Sequence, residues 1–298
     1  MKHFYLIANP SKREAVQVAE HITRYLRARG AVCQGSAQEK RREGAAYGYT
    51  DQKRIPKNTQ CVITLGGDGT LIQAARDLVD LQIPMIGVNM GTLGYLTQVA
   101  RGEALSPMLD ALLKDNFRLE RRMMLEGTVV REDKNGAGSM APADRKCGIA
   151  LNDIVFTRRD VMQVLKFQVY VNGELLNEYT ADGMIVATPT GSTAYNLSAG
   201  GPIVDPKASM ILITPINAHN LNSRSIVIGD GDEVTVELGK RRSQKDETVE
   251  VSFDGDNSVK LEVGDRFMIR KANDTTKILK LGSRGFLEIL RGKMENYR

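Results

Sequence analysis

The stretch Cys61-Val62-Ile63-Thr64-Leu65-Gly66-Gly67-Asp68-Gly69-Thr70-Leu71 decides how the first part of this chain folds. Its first five residues form a short, mostly apolar run that is typical of a buried strand, and a helical pattern runs from Leu71 to about Leu81. The three glycines between them leave backbone N–H groups uncovered, so a phosphate can approach the chain without meeting side chains. The N-terminus of the following helix adds a favourable dipole for an anion. The stretch predicts a strand–turn–helix unit in which Gly66, Gly67, Gly69 and Thr70 bind the phosphates of a donor.

Asp68, inside this turn, needs a separate explanation because a carboxylate does not attract a phosphate. Two roles suit it: binding a bridging divalent cation, or taking a proton from an attacking hydroxyl. No G-K-[ST] follows the glycines and the spacing is not G-x-G-x-x-G, which disfavours the nucleotide folds that carry those fingerprints. We therefore predict that Asp68 is a catalytic residue.

Outward from this stretch, two regions with different patterns follow one another. Up to residue 120, apolar strands alternate with helices, which predicts a Rossmann-like α/β domain with a parallel sheet. Residues 121–275 carry short strand patterns and a strong hairpin signal, Asn172-Gly173, which predict a mainly antiparallel β domain. The tail, residues 276–298, returns to a strand-plus-helix pattern and is expected to pack back on the first domain.

Composition restricts the classes of function. The chain has 298 residues, a formal charge of +5, 5% aromatic residues and no Trp. The low aromatic content argues against a protein that binds nucleic acid by stacking bases on aromatic rings. The positive charge is compatible with nucleic acid, but it suits a small anionic substrate equally well. Three widely spaced cysteines indicate neither a disulfide framework nor a metal site. Since no run of ~18 apolar residues or signal-like stretch is present, we expect a cytoplasmic protein without a membrane or nucleic-acid partner.

The segment DGMIVATPTGSTAYNLSAGGP, residues 182–202, is a second source of chemistry. An apolar strand leads into Thr188-Pro189-Thr190-Gly191, a turn rich in hydroxyl groups and N–H groups. A helix is predicted to follow, capped by Ser192 or Thr193. Tyr195 offers a stacking face, and Ser198 lies on the same side of that helix. Together Tyr195 and Ser198 are suited to hold a purine ring.

Asn152-Asp153 is a shorter signal that opens another strand pattern. An adjacent amide and carboxylate offer a donor and several acceptors to the hydroxyls of a sugar. The dipeptide alone is a weak signal and is more typical of a plain turn before a strand.

These motifs resemble those of known kinases. The G-G-D-G-T of residues 66–70 is similar to that of NAD kinases, of diacylglycerol and sphingosine kinases and, in a related form, of 6-phosphofructokinases, which all transfer phosphate to a hydroxyl. Residues 182–202 resemble the NAD kinase signature almost throughout, so the chain resembles the bacterial NAD kinase family. The resemblance implies transfer of the terminal phosphoryl group of ATP, or of polyphosphate, to the 2′-hydroxyl of the adenosine ribose of NAD. It further implies a divalent cation, Mg²⁺, whose ligands it does not identify, and a homodimer or homotetramer.

By this resemblance each candidate residue receives a role. Asn152 and Asp153 would bind the ribose, Asp182 the nicotinamide amide, and the adenosine end would contact Thr193, Tyr195 and Ser198. In the family some of these contacts can come from a neighbouring subunit. The full set expected to bind NAD is Asp68, Gly69, Asn152, Asp153, Asp182, Thr193, Ala194, Tyr195 and Ser198.

Two alternatives share the glycine-rich motif. A lipid kinase of the diacylglycerol or sphingosine type would need an apolar acceptor pocket, whereas the stretch from Thr188 to Ser198 is polar. A non-catalytic nucleotide-binding or nucleic-acid-binding protein on the same fold would not need Asp68 or Asn152-Asp153. The chain also departs from the family at Asp256, Thr180 and Gln163, to which we assign no role.

Overall fold

The computed structural model describes residues 1–12, 14–37, 50–91, 94–97, 99–100, 102, 105–130, 145–158, 165–219, 223–239, 248–282 and 285–295; Gln163 lies outside them. In chain order the elements are β1 His3–Ala8, α1 Glu14–Arg27, β2 Val32–Ala37, β3 Cys61–Gly66, α2 Asp68–Asp77, β4 Met85–Asn89, β5 Val99–Ala100, α3 Leu105–Leu113, β6 Arg118–Val130, β7 Arg145–Ala150, β8 Asp153–Arg158, β9 Leu165–Val171, β10 Glu174–Ala181, β11 Gly183–Ala187, α4 Tyr195–Ser198, β12 Met210–Ile216, β13 Ile226–Gly229, β14 Val234–Leu238, β15 Thr248–Phe253, β16 Asp256–Glu262, β17 Arg266–Lys280 and α5 Phe286–Glu295.

The chain divides into two compact units. The first unit comprises Met1–Arg122 and Asp274–Arg298, and the second comprises Met123–Asn273. Among the helices within the described ranges, none combines the length and the apolar character needed to cross a bilayer.

The first unit is built on a parallel sheet. Its strands lie in the order β2–β1–β3–β4, and both β5 and the end of β17 pair with β4, also in parallel. Apolar side chains of α1 and α3 share one core with alternate residues of these strands. Leu71 of α2 packs against Gly87 on the opposite face of β4. The predicted α/β fold with a parallel sheet is thus confirmed.

The second unit is a β-sandwich of antiparallel sheets. One sheet has the order β13–β12–β11–β8–β15–β16, and β10–β9–β14 pair with the first residues of β17 in the other. Buried side chains from both sheets, including Phe156 and Phe267, form a single core. The hairpin at Asn172-Gly173 has positive φ at both residues, 51° and 82°, as a type I′ turn requires. The predicted antiparallel β fold is confirmed.

Candidate active site

The glycine-rich turn is the first turn of α2 and not a separate loop. The helix begins at Asp68 with Gly67 as its N-cap, three residues before the predicted start at Leu71. The prediction was wrong because apolar periodicity starts only at Leu71, whereas the polar residues before it already have helical geometry. The Thr70 N–H donates to the Gly67 carbonyl at 3.1 Å, whereas the N–H groups before it have no partner within the helix. Such a helix start is the arrangement that binds anions.

Two of the glycines serve different purposes. A Cβ at Gly66 would lie 2.1 Å from the Thr70 hydroxyl oxygen, so packing requires a glycine there. That hydroxyl is buried and accepts a hydrogen bond from Asn9 Nδ2 at 3.1 Å. A Cβ at Gly67, in contrast, would meet nothing within 4 Å. Packing within the chain does not require Gly67 to be glycine, and the open space above it is available to a ligand.

The Asp68 carboxylate is held by the chain segment that follows β4. Its Oδ2 accepts hydrogen bonds from the N–H groups of Tyr95, at 2.7 Å, and Leu96, at 3.2 Å. Its Oδ1 accepts from the N–H and the hydroxyl of Thr97, at 2.9 and 2.8 Å. The Thr97 hydroxyl in turn accepts from Asn89 Nδ2 at 2.8 Å. These contacts fix the orientation of Asp68, and its partners were not predicted from the sequence.

Both carboxylate oxygens of Asp68 are thus occupied by N–H and O–H donors, which leaves little room for a metal ion. Within the described ranges no group of three His, Cys, Asp or Glu side chains could hold a metal. Magnesium in phosphoryl-transfer sites takes carboxylates together with substrate phosphates as ligands. The same donors surround the oxygens at which a proton would bind, so this geometry favours neither of the two roles predicted for Asp68, and what it establishes is the fixed orientation of the carboxylate.

Gly94 touches this carboxylate so closely that a side chain there must displace it. A Cβ at Gly94 would lie 1.9 Å from Asp68 Oδ1, whereas a Cβ at Gly91 would come within 4.0 Å only of Lys12 Nζ. We expect Gly94→Ala to lower turnover by ~10²-fold, since a misplacement of about 1 Å can cost that much. Steady-state turnover of the two variants checks this, with Gly91→Ala as the matched control that stays near wild type. Equal activity of both variants would contradict a strict requirement for the observed Asp68 position.

In the second unit, Asn152 and Asp153 lie where three turns meet. The Asp254 carboxylate accepts hydrogen bonds from the N–H groups of Leu151, Asn152 and Asp153 at 2.9, 2.7 and 3.1 Å. Thr188 N–H donates to the Asn152 carbonyl at 2.8 Å. A Cβ at the next glycine of that turn, Gly191, would lie 2.1 Å from this carbonyl oxygen. The structure therefore brings together Asn152-Asp153, the hydroxyl-rich turn and the turn at Asp254.

Asp153 carries an unusual charge state for a carboxyl group. Its side chain is buried, with 4% of the residue exposed. Burial, together with the nearby charge of Asp254, raises the pKa of Asp153 from 3.8 to about 8. Asp153 therefore holds a proton at neutral pH, beside an Asp254 carboxylate that accepts three N–H hydrogen bonds.

The segment after Thr190 divides its side chains between the interior and the surface. Ser192 Oγ exchanges hydrogen bonds with the backbone of Val204, and Asn196 Nδ2 donates to the Ser192 and Pro202 carbonyls at 3.2 and 3.1 Å. Asn196, which sequence reasoning missed, thereby fastens the turn from within. The residues of this segment predicted to bind NAD are half-buried or exposed: Thr193, Ala194, Tyr195 and Ser198.

The predicted cap of this helix is wrong. Residues Gly191–Thr193 form a 3-10 turn, and α4 covers only Tyr195–Ser198 with Ala194 as its N-cap and no side-chain cap. Ser192 does not cap because its hydroxyl is used by Val204.

Asp182 lies at the other end of β11. Its Oδ1 forms an ion pair with Arg158 at 3.1 Å, and its Oδ2 accepts from Asn217 Nδ2 at 3.1 Å. Asp153 pairs with Ala187, at the opposite end of the same strand. Six residues of extended chain span roughly 20 Å, so the fold of one subunit does not bring Asp182 to Thr188 and Asp153.

This chain is similar to known proteins both in its sequence and in its fold. Residues 4–117 match the family model of the ATP-NAD kinase N-terminal domain, and residues 151–281 match that of the C-terminal domain. The chain is 48% identical to the NAD kinase of Agathobacter rectalis over 100% of both chains, and 41% identical to that of Lachnospira eligens over 99% of this chain and 100% of the other. In fold it is similar to yeast NADH kinase complexed with NADH, with a TM-score of 0.75 and 22% identity over 98% of this chain and 86% of that one. It is also similar to an NAD kinase from Archaeoglobus fulgidus in complex with ATP, with a TM-score of 0.72 and 22% identity over 98% of each chain. The chain therefore belongs to the NAD kinase family.

Proposed function

We propose that this protein transfers the terminal phosphoryl group of ATP to the 2′-hydroxyl of the adenosine ribose of NAD, giving NADP. The observation that carries the proposal is the Asp68 carboxylate, held by Tyr95, Leu96 and Thr97 at the N-terminus of α2. It combines a fixed proton acceptor with an anion-binding helix end, and these are the two functions that phosphoryl transfer to a hydroxyl needs.

In the proposed mechanism, Gly66, Gly67, Gly69 and Thr70 bind the donor phosphates at the N-terminus of α2. The glycine N–H groups act as the donors, since the Thr70 N–H donates to the Gly67 carbonyl at 3.1 Å. Asp68 accepts the proton of the ribose 2′-hydroxyl as the oxygen attacks the terminal phosphorus and ADP leaves. Asn152 and Asp153 hold the ribose hydroxyls, and a protonated Asp153 does so as both donor and acceptor. Ordering of the two substrates supplies the larger effect, ~7–11 kcal/mol of the barrier. The resemblance implies Mg²⁺, which would be held mainly by the phosphates of ATP and would neutralise the charge that develops there.

Asp182 enters this proposal through a second subunit. Because β11 separates it from Asp153, we propose that Asp182 contacts the nicotinamide end of an NAD molecule bound mainly by a neighbouring copy. The active form would then be a homodimer or homotetramer. Sedimentation with and without NAD checks the subunit count.

The activity is tested directly with the purified protein. NADP formed from NAD is measured with ATP and then with polyphosphate as donor, over a range of Mg²⁺ concentrations, and NADH is offered as an alternative acceptor. NADP formation with at least one donor is expected. Transfer of labelled phosphate to diacylglycerol or sphingosine, without NADP formation, would support the lipid-kinase alternative instead.

Tyr195 provides a test of the adenosine contact. Its side chain is 44% exposed at the start of α4. We expect Tyr195→Ala to weaken NAD binding by ~1–3 kcal/mol, the usual value of one base–aromatic stacking contact. Calorimetry checks this, with Tyr195→Phe retaining the ring and Leu197→Ala removing a neighbouring exposed side chain. Unchanged affinity in Tyr195→Ala would remove Tyr195 from the binding site.

A further inference from the structure

Lys280 is a buried lysine whose position in the first unit places it on the same sheet face as the Asp68 network. It is the last residue of β17 and is 6% exposed. Ile278 pairs with Met85, and side chains two residues apart on a strand return to the same face, so Lys280 and Gly87 share that face. Thr97 covers it: a Cβ at Gly87 would lie 2.5 Å from Thr97 Cγ2. Thr97 is the residue that donates two hydrogen bonds to Asp68.

The charges around Lys280 come from two elements. Asp68 of α2 and Glu120 of β6 attract its ammonium group, whereas Arg122 and Arg118 of β6 repel it. Arg122 is itself buried and pairs with Glu120 at 2.6 Å, and Arg118 Nη2 donates to the Gly282 carbonyl at 2.9 Å. Glu120 is therefore already paired with Arg122. Among the two carboxylates that attract Lys280, Asp68 is the one that pairs with neither Arg118 nor Arg122.

Burying the ammonium group of Lys280 costs free energy, and packing alone gives no reason for a lysine at this position. A buried ammonium loses its hydration, and a buried charge is retained when it is paired or used. The pKa of Lys280 is lowered from 10.5 to about 8, mainly by burial and then by the charges of Arg122 and Arg118, while Glu120 and Asp68 act in the opposite direction. The glycine-rich stretch also carries no lysine of the G-K-[ST] type, so no lysine of that stretch supplies positive charge to the phosphates.

We propose that Lys280 is a positioning residue for the phosphoryl transfer, whose ammonium group balances the charge of the Asp68 carboxylate when the negative phosphates of the donor arrive. This inference rests on the proposed function. It predicts a definite pH dependence: Lys280 is charged below about pH 8 and loses its proton as the pH rises through that value. The kcat/KM for ATP, which reports on the free enzyme, should then fall about tenfold for each pH unit above this midpoint.

Three variants separate charge from packing. Lys280→Met keeps the length of the side chain without the charge, and we expect kcat/KM at pH 7 to fall by ~10²-fold, with no alkaline decline left. Lys280→Arg should retain most of the activity and move the decline to higher pH, because an arginine stays protonated. Lys277→Met is the matched control, since Lys277 lies on the same strand and donates only to the Gln82 carbonyl among the described residues. It should keep the wild-type profile.

A measurement without turnover distinguishes this inference from the proposed function. In protein labelled with ¹³C at lysine Cε, the resonance missing from Lys280→Met reports the titration of Lys280. Because Asp68 raises the pKa of Lys280, its midpoint should fall in Asp68→Asn, whether or not the protein makes NADP. An unchanged midpoint would overturn the coupling to Asp68, as would Lys280→Met with the wild-type pH profile. Equal losses of kcat/KM in Lys280→Arg and Lys280→Met would likewise overturn it, because the loss would then come from altered packing and not from the missing charge.

Discussion

Asp68→Asn is expected to lower turnover by ~10²–10⁴-fold, the usual contribution of a general base, while NAD binding is largely retained. The amide is nearly the same size as the carboxylate but cannot accept the proton of the 2′-hydroxyl. Single-turnover kinetics with ATP, together with calorimetry of NAD binding, check the two halves of this expectation.

The substitution also disturbs the local hydrogen bonds, and a control must account for that. An amide nitrogen placed at either carboxylate oxygen would face N–H donors of Tyr95, Leu96 or Thr97. Thr97→Val removes one donor to Asp68 and the acceptor for Asn89 Nδ2, but it keeps the carboxylate. We expect Thr97→Val to lose far less turnover than Asp68→Asn. Near-normal turnover in Asp68→Asn would show that Asp68 is not the base.

The strands and helices of this chain could be predicted where the core covers one face of the element or all of it, because their sequences then show a clear apolar pattern. The sequence predicts strands at His3–Ala8 and Thr248–Phe253, where short apolar runs are bounded by turn formers, and β1 and β15 begin and end at these residues. It predicts no strand between Gly30 and Cys61, and β2 was missed because its sequence, VCQGSA, has a weak apolar pattern. Its pairing with β1 depends on a close approach that only the fold reveals: a Cβ at Gly35 would lie 2.8 Å from Leu6 Cβ.

The candidate site likewise contains residues that the sequence pattern indicates and contacts that only the fold reveals. Asp68, Asn152-Asp153 and the 182–202 segment stand out because polar residues and glycines interrupt apolar strands there. The residues that hydrogen-bond to them do not stand out in the sequence. Thr97 binds Asp68 from 29 residues away, and Asp254 binds the Asp153 N–H from 101 residues away. Such contacts depend on the tertiary structure. The spacing of Gly91 and Gly94 after β4 was the one available signal for the segment around Thr97.

Asp153→Asn is expected to make the second unit more stable at alkaline pH, which is the opposite of what the loss of a buried polar group usually does. The folded state raises the pKa of Asp153 from 3.8 to about 8. Between these values the folded chain holds a proton that the unfolded chain has released, so each pH unit costs about 1.4 kcal/mol of stability. The contribution of Asp153 to stability is therefore fullest below about pH 4 and is lost as the pH rises through about 8.

An asparagine is neutral at every pH and removes this dependence. Relative to wild type, the variant should gain about 3–4 kcal/mol in free energy of unfolding between pH 5 and pH 8. Urea unfolding at several pH values measures the difference, and Asp205→Asn, at an exposed carboxylate, serves as the control that should follow wild type. Parallel pH profiles for Asp153→Asn and wild type would mean that Asp153 is ionised in the folded protein. The ribose would then meet a carboxylate, and Asp153 could only accept hydrogen bonds from its hydroxyls.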